Sequence, residues 1–328
     1  MNALKLQLLF LLLLLATISE AQQQLNLSLQ EARNYALEHN RSRLNADLAV
    51  DKAEKALWEA IANGLPQMEA SADYSNALGA VISIRFQEGM PPTEIGIKPQ
   101  SNFYLNLNQL IFSGNYIVGV QLAKLSKEMS LLSHQKTELE VVSSVTEAYY
   151  AVLLTDEMLR ILSLNVANLQ QLYSKSEPMV RVGMMEQTDL DQLFVQLSAL
   201  QNSKATAERQ AELAKNLLRL QLGATIETGL QLTGKLDQMM ADAAVENLMM
   251  SQFNLQNNID FRMIGQQELL TDKMIDMKRA NALPTLVAFY RYTYKMLKPD
   301  FDMSPANMLG LQLSIPLFSS GMRTAQTR

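Results

Sequence analysis

The chain carries one pattern twice. Residues 62–74 and residues 280–292 share the order Ala-Asn, one small residue, and Leu-Pro. In both segments a predicted helix ends at this motif, and a predicted strand with alternating side chains follows it. Residues 105–113 are echoed by residues 311–319 in the same way. A spacing of about two hundred residues exceeds the roughly 20–50 residues of a solenoid repeat. The pattern therefore predicts a duplicated half-protein, in which each copy contains a long helix, a strand, a loop and a second strand.

Residues 1–21 have the features of a secretory signal peptide. Lys5 supplies the positive end, an apolar run follows at residues 6–18, and small residues precede a predicted cleavage after Ala21. An uncleaved membrane anchor is the alternative, although the apolar run of about 13 residues is shorter than the roughly 20 that a spanning helix needs. The signal predicts an exported protein.

The duplication also predicts the domain organisation of the mature chain. The first repeat covers residues 22–223, and residues 224–328 hold a connector and a second repeat. The second copy ends where the first copy starts its long helix. We therefore expect the second repeat to be incomplete and to lack a helical hairpin.

The first helix and the first strand have clear local signals. Ser28 and Glu31 form a capping box, which predicts a helix that starts there and continues to Ile61. Residues 67–75 alternate between apolar and polar side chains, which predicts a strand. Residues 76–101 contain several Gly and Pro residues and are predicted to form a long loop.

A long helical hairpin is predicted in the middle of the chain. Residues 121–177 contain no Gly or Pro, and a continuous helix of this length would extend about 85 Å. Pro178 and Gly183 predict an interruption, and residues 184–222 predict the second helix. Apolar residues at 3-4-3-4 spacing on both helices indicate knobs-into-holes packing in an antiparallel pair.

No constellation of residues predicts an enzyme, a cofactor or a metal site. His39 and His134 are the only histidines, and neither has a second histidine at the spacing of a metal site. The 19 methionines lie mostly at apolar helix positions, where Met substitutes for Leu. The chain has no cysteine, and its net charge of −5 without a basic face argues against nucleic acid as a partner.

The four predicted strands carry the functional signal. Each has one apolar or aromatic face and about the 9–11 residues that a transmembrane β-strand needs. In the fourth strand we predict that the lipid-facing residues are Leu309, Leu311, Leu313 and Ile315. Four strands are too few to close a barrel, and lipid does not tolerate open sheet edges. Several protomers must therefore combine their strands if these strands span a membrane.

At this point the chain resembles the outer membrane efflux protein family, the TolC-like channels. The resemblance covers nearly the whole mature chain and rests on the order of several short motifs. These motifs are Leu-Ser-Leu-Gln-Glu-Ala at 27–32, the Leu-Pro before each odd strand, Leu-Ile-Phe-Ser-Gly at 110–114, Val-Thr-Glu-Ala-Tyr-Tyr at 145–150, residues 181–190 and residues 315–321.

The resemblance implies a fold class, a location and a set of partners. The fold would be mainly α, with long TolC-like helical hairpins and four membrane strands per protomer that join a trimeric β-barrel in the outer membrane. The helical part would lie in the periplasm. The hairpin tip would contact a periplasmic adaptor protein coupled to an inner-membrane pump, and the implied contact residues are Arg181, Gly183, Thr188 and Asp189.

Three functions remain open from the sequence. The leading hypothesis is an outer membrane channel of a tripartite efflux or type I secretion system, which exports small molecules passively while a partner pump supplies the energy. A periplasmic coiled-coil adaptor is a second hypothesis, although the duplicated strand pairs argue against it. A metal-ion efflux channel is the third.

Overall fold

The computed structural model describes residues 24–85, 89, 91–234, 236, 254–297 and 304–327. The predicted signal peptide and about half of the connector, which was predicted at residues 223–247, lie outside these residues. The described residues of 1–48 and 133–259 form one compact unit, and those of 49–132 and 260–328 form another. Each unit combines two separate stretches of the chain, whereas the predicted boundary at residue 223 divides the chain into two sequence repeats. That boundary therefore stays a prediction.

The described elements are eight strands, six α-helices and a 3₁₀ helix at Leu255–Asn257. The strands are β1 (Gln24–Leu27), β2 (Gln67–Ser75), β3 (Val81–Ile84), β4 (Thr93–Gly96), β5 (Gln100–Ser113), β6 (Gly229–Leu232), β7 (Thr285–Leu297) and β8 (Asn307–Ser314). The helices are α1 (Leu29–His39), α2 (Arg41–Ala62), α3 (Gly114–Arg181), α4 (Gln187–Leu222), α5 (Ile259–Ala280) and α6 (Met322–Thr327). None of these helices combines the length and the apolar character that crossing a membrane requires.

The first helix starts where the sequence predicts it but ends earlier. The capping box is confirmed, because Ser28 Oγ accepts from the Glu31 amide at 3.3 Å and Glu31 Oε2 accepts from the Ser28 amide at 2.8 Å. The bond from the Ser28 amide also lowers the pKa of Glu31. The prediction of one helix to Ile61 is wrong. Asn40 has an extended backbone, and its Oδ1 accepts from the Ser42 amide at 2.8 Å, so that a new helix starts after it.

The first unit has its core where α1 and a short parallel sheet meet the long helices. Strand β1 pairs with β6 in a parallel register that joins Gln24 to Gly229. This sheet was not predicted from the sequence. The buried cluster contains Ala32 and Ala36 of α1 together with side chains from α3 and α4, which are Val141, Val145, Ala148, Tyr149, Val152, Leu218 and Leu222.

The predicted helical hairpin is present as α3 and α4, but the predicted break at Pro178 is wrong. Helix α3 continues through Pro178 and ends at Arg181. The ring removes one backbone donor, yet the Pro178 carbonyl still accepts from the Val182 amide at 3.2 Å. The loss of one hydrogen bond does not end a helix of 68 residues. The chain turns at Gly183, as the sequence predicts.

The second unit contains the four predicted strands in one antiparallel sheet with the order β2-β5-β7-β8. Strand β2 has the predicted bounds, whereas β8 ends at Ser314, before Ile315. The predicted loop at residues 76–101 is partly wrong, because β3 and β4 pair within it as a separate two-stranded sheet. Helix α5 begins at Ile259 and ends at Ala280, just before β7.

Candidate functional site

The register of the four-stranded sheet sorts its side chains onto two chemically different faces. Directly paired residues of antiparallel strands share a face, and successive residues of one strand alternate between faces. One face is therefore almost entirely apolar and aromatic. Its residues are Met68, Ala70, Ala72, Tyr74, Phe103, Leu105, Leu107, Leu286, Ala288, Tyr290, Tyr292, Tyr294, Leu309, Leu311 and Leu313.

Much of this apolar face is exposed within the described chain. The predicted lipid-facing residues Leu309, Leu311 and Leu313 of β8 are 80%, 71% and 59% exposed. Ile315, the fourth predicted residue, follows the last residue of β8 and is 52% exposed. A contiguous exposed apolar surface of this kind indicates an interface with lipid or protein.

Tyrosines form a column on the apolar side of β7. Tyr290, Tyr292 and Tyr294 alternate along the strand and pair with Leu107, Leu105 and Phe103 of β5, respectively. The Tyr290 hydroxyl lies 2.7 Å from Asn307 Oδ1 on β8. Tyrosine has an apolar ring and a polar tip, which suits a boundary between apolar and aqueous surroundings.

The opposite face of the sheet is mainly polar. Glu69, Asn106 and Arg291 form one row across β2, β5 and β7, and Arg291 Nε donates to Asn106 Oδ1 at 2.9 Å. A concavity of about 330 Å³ lies over this row. Phe289 and Met308 also lie on this face, so that its polar character is strongest on β2 and β5. The sheet is therefore amphipathic, with one apolar face and one mainly polar face.

A second polar row crosses the same face four residues further along each strand, which is two pleat repeats away. It contains Asp73, Asn102 and Lys295, and Asn102 Nδ2 donates to Asp73 Oδ2 at 3.5 Å. Lys295 Nζ donates to Ser304 Oγ at 2.9 Å, just before β8. The polar face therefore carries charges of both signs at two levels.

The sheet has two outer strands, β2 and β8, each with one neighbour in the described chain. Backbone amide and carbonyl groups along the free side of an outer strand have no partner within the sheet. These free sides can pair with a further strand, and in lipid they must do so because water is absent there.

The tip of the helical hairpin brings together the four residues that the resemblance singles out. Arg181 lies in the last turn of α3, Gly183 lies in the connecting turn, and Thr188 and Asp189 lie in the first turn of α4. Arg181 Nη2 contacts Glu177 Oε1 at 3.0 Å on the exposed surface. Asp189 is suitably placed for the positive N-terminal end of the helix dipole.

The turn itself is a Schellman motif with exposed apolar neighbours. Gly183 has φ +77°, its amide donates to the Val180 carbonyl at 3.0 Å, and the Met184 amide donates to the Met179 carbonyl at 2.8 Å. Val182 and Met184 are 69% and 74% exposed. Sequence reasoning missed this pair, although two apolar residues beside a turn glycine were a visible signal.

Tyr149 anchors the base of the hairpin to the small parallel sheet. Its ring is fully buried, its hydroxyl donates to the Leu27 carbonyl at 3.1 Å, and the same oxygen accepts from the Gly234 amide at 3.1 Å. Burial raises the pKa of Tyr149, because the charged phenolate would lose its hydration. The hydroxyl therefore stays neutral and joins two backbone segments.

Each of the two histidines contacts a side chain of its own surroundings. His39 stacks on Tyr35 with ring centroids 4.1 Å apart, and His134 Nε2 lies 2.6 Å from Asp47 Oδ1. Within the described residues, acidic and histidine side chains do not form a group of three that could hold a metal ion.

The sequence and the fold of this chain are both similar to those of known proteins. The sequence profile of the outer membrane efflux protein family matches residues 32–224. The CmeC outer membrane channel of Campylobacter jejuni has a similar fold, with 16% identity and a TM-score of 0.70 over 91% of this chain and 63% of that one. CusC has 18% identity and a TM-score of 0.67, over 91% and 68% of the two chains.

The outer membrane protein VceC of Vibrio cholerae is also similar, with 17% identity and a TM-score of 0.65 over 91% of this chain and 71% of that one. The chain thus spans about two thirds of the length of these solved chains. No curated protein sequence matches it significantly. The shared fold confirms the predicted class, which is mainly helical with a long hairpin and additional strands.

Proposed function

Because the chain belongs to the outer membrane efflux protein family, we propose that copies of it form a conduit for passive export across the outer membrane. The family consists of outer membrane proteins whose helical part lies in the periplasm, and this is the location of the protein. A passive conduit needs no catalytic site, because a partner pump supplies the energy. The cargo we propose is small molecules, selected by the lumen lining rather than by a deep pocket.

The observation that carries this proposal is the amphipathic sheet with two open edges. Its apolar face suits lipid and its polar face suits an aqueous lumen. Four strands are too few for a closed barrel, because small barrels start near eight strands. Pairing of β2 in one copy with β8 in the next would satisfy both edges. We propose a homotrimer, in which twelve strands close one barrel.

The hairpin tip is the proposed contact with a periplasmic adaptor protein, which in turn would couple to an inner-membrane pump. Arg181, Gly183, Thr188 and Asp189 lie at one end of the hairpin, and exposed Val182 adds apolar area. Interfaces commonly combine an apolar centre with a polar rim. The Arg181 and Asp189 side chains would supply charged contacts at that rim.

Cysteine accessibility in intact outer membranes tests the conduit proposal. The chain has no native cysteine, so each introduced thiol is unique. Leu311→Cys and Gln312→Cys are adjacent on β8 but lie on opposite faces. We expect a water-soluble maleimide to label Gln312→Cys and a lipid-soluble maleimide to label Leu311→Cys.

Extraction is the matching control for membrane location. The protein should stay with the membrane in high salt and dissolve only in detergent. Release by salt, as expected of a peripheral adaptor, would refute the conduit. Equal labelling of both cysteines by the water-soluble reagent would show that the apolar face of β8 does not meet lipid.

A further inference from the structure

The charges on the polar face of the sheet are divided by strand. Both carboxylates, Glu69 and Asp73, lie on β2, and both cations, Arg291 and Lys295, lie on β7. Strand β5 lies between them and contributes an asparagine to each row. Adjacent strands are about 4.8 Å apart, so that the backbone positions of acid and base in one row are about 10 Å apart. Each row thus carries opposite charges on strands that are not neighbours in the sheet.

The first row keeps its two charges available to solutes. Glu69 and Arg291 are both exposed, and the side-chain bond of Arg291 across the sheet is to Asn106 and not to Glu69. Arg291 instead donates through Nε to Asn106 Oδ1, which uses one of the five guanidinium donors and fixes the orientation of the group. Asn106 is therefore a positioning residue, and the remaining donors can face the concavity above the row.

We propose that Glu69 and Arg291 are paired selectivity residues, which balance the charge of the lumen and keep it open to both cations and anions. This inference rests on the proposed function, because the polar face must line the lumen. Asp73 and Lys295 repeat the same balance at a second level. In a trimer each level would carry three charges of each sign around its circumference.

The balance predicts opposite effects when one charge of a pair is removed. In water a unit charge about 10 Å from a permeating ion changes the local ion concentration about twofold without salt, and 0.1 M salt screens part of this effect. Three copies multiply the effect, and cations and anions respond in opposite directions. We therefore expect the cation-to-anion permeability ratio to change about fivefold in 0.1 M KCl and more at lower salt.

Planar-bilayer recording of the purified full chain tests this inference. The permeability ratio is obtained from the reversal potential in a KCl gradient, with wild type, Arg291→Gln, Glu69→Gln and the double variant. Arg291→Gln should favour cations, Glu69→Gln should favour anions, and the double variant should return to the wild-type ratio. Both side chains are exposed in the chain, so that folding should be preserved, and resistance of the oligomer to mild SDS checks this.

The outcomes separate the two proposals. Conductance with the same permeability ratio in all four proteins would overturn the selectivity role while leaving the conduit intact. A shift of the same sign in both single variants would also overturn it, because lost charge balance cannot produce that result. Absence of conductance in the wild-type protein would refute the conduit itself.

Discussion

Two glycines end the two long helices in the same backbone conformation but in different surroundings. Gly183 follows α3 with φ +77°, and Gly223 follows α4 with φ +75°. A Cβ on Gly183 would have no heavy atom within 4 Å. A Cβ on Gly223 would collide with the His39 carbonyl oxygen and would lie 2.8 Å from the His39 carbonyl carbon. Alanine at each position therefore separates the cost of the conformation from the cost of the contact.

The expected free energies follow from these two environments. An L residue in the left-handed region costs about 1–2 kcal/mol, and this cost applies equally to Gly183→Ala and Gly223→Ala. At Gly223 the colliding atom belongs to the backbone at the end of α1, which cannot rotate away as a side chain would. Overpacking of this kind adds about 1–3 kcal/mol. Gly223→Ala should therefore be the more destabilising variant by that difference.

Amide hydrogen exchange of the protein in detergent micelles measures the difference in local stability between the two variants. The peptides to follow cover residues 29–40 and 215–222, which meet at this contact. Because 1.4 kcal/mol corresponds to a tenfold change, these peptides should exchange about 5- to 150-fold faster in Gly223→Ala than in Gly183→Ala. Equal exchange in both variants would refute the reasoning, since it would show that α1 does not hold its carbonyl against Gly223.

Two further perturbations test the core and the sheet. Tyr149→Phe should cost about 1–3 kcal/mol, because it leaves the partly buried Gly234 amide without its acceptor, and urea unfolding followed by circular dichroism measures this loss. Because the pKa of Tyr149 is raised, the hydrogen bonds of its neutral hydroxyl contribute fully to the free energy of unfolding below about pH 10, and this contribution is lost as the pH rises further. The free energy of unfolding of the Phe variant should therefore fall less steeply with rising pH than that of the wild type. An equal pH dependence in both proteins would contradict this. Leu311→Arg should cost about 2–4 kcal/mol near the middle of a bilayer and reduce membrane assembly, whereas Gln312→Arg should be tolerated. Equal amounts of detergent-extractable oligomer in both variants would contradict the assigned strand facing.

Much of the fold was predictable because its signals are local and long. The alternation in β2 extends over nine residues, and it gave the strand bounds correctly. Strands β1, β3, β4 and β6 were missed, since each has four residues and such a run is too short to establish a period of two. The break at Asn40 was also missed. Asparagine is a preferred N-cap residue but also occurs inside helices, so its type alone did not mark a boundary, and its side-chain bond to the Ser42 amide identifies it as a cap.

The functional surfaces also include features that the sequence predicts and features that it does not. Alternation along one strand was enough to assign Leu309, Leu311 and Leu313 to one face, because every second residue of a strand shares that face. The pairing of Glu69 with Arg291 across the sheet needed the register of strands that are far apart in the sequence. The local alternation excludes a shift of one residue, which would exchange the two faces, but it does not exclude a shift of two, which keeps the faces and changes the partners. The charge balance is therefore a property of strand pairing, and it would be lost in any sheet that kept the sequence but slipped by two residues.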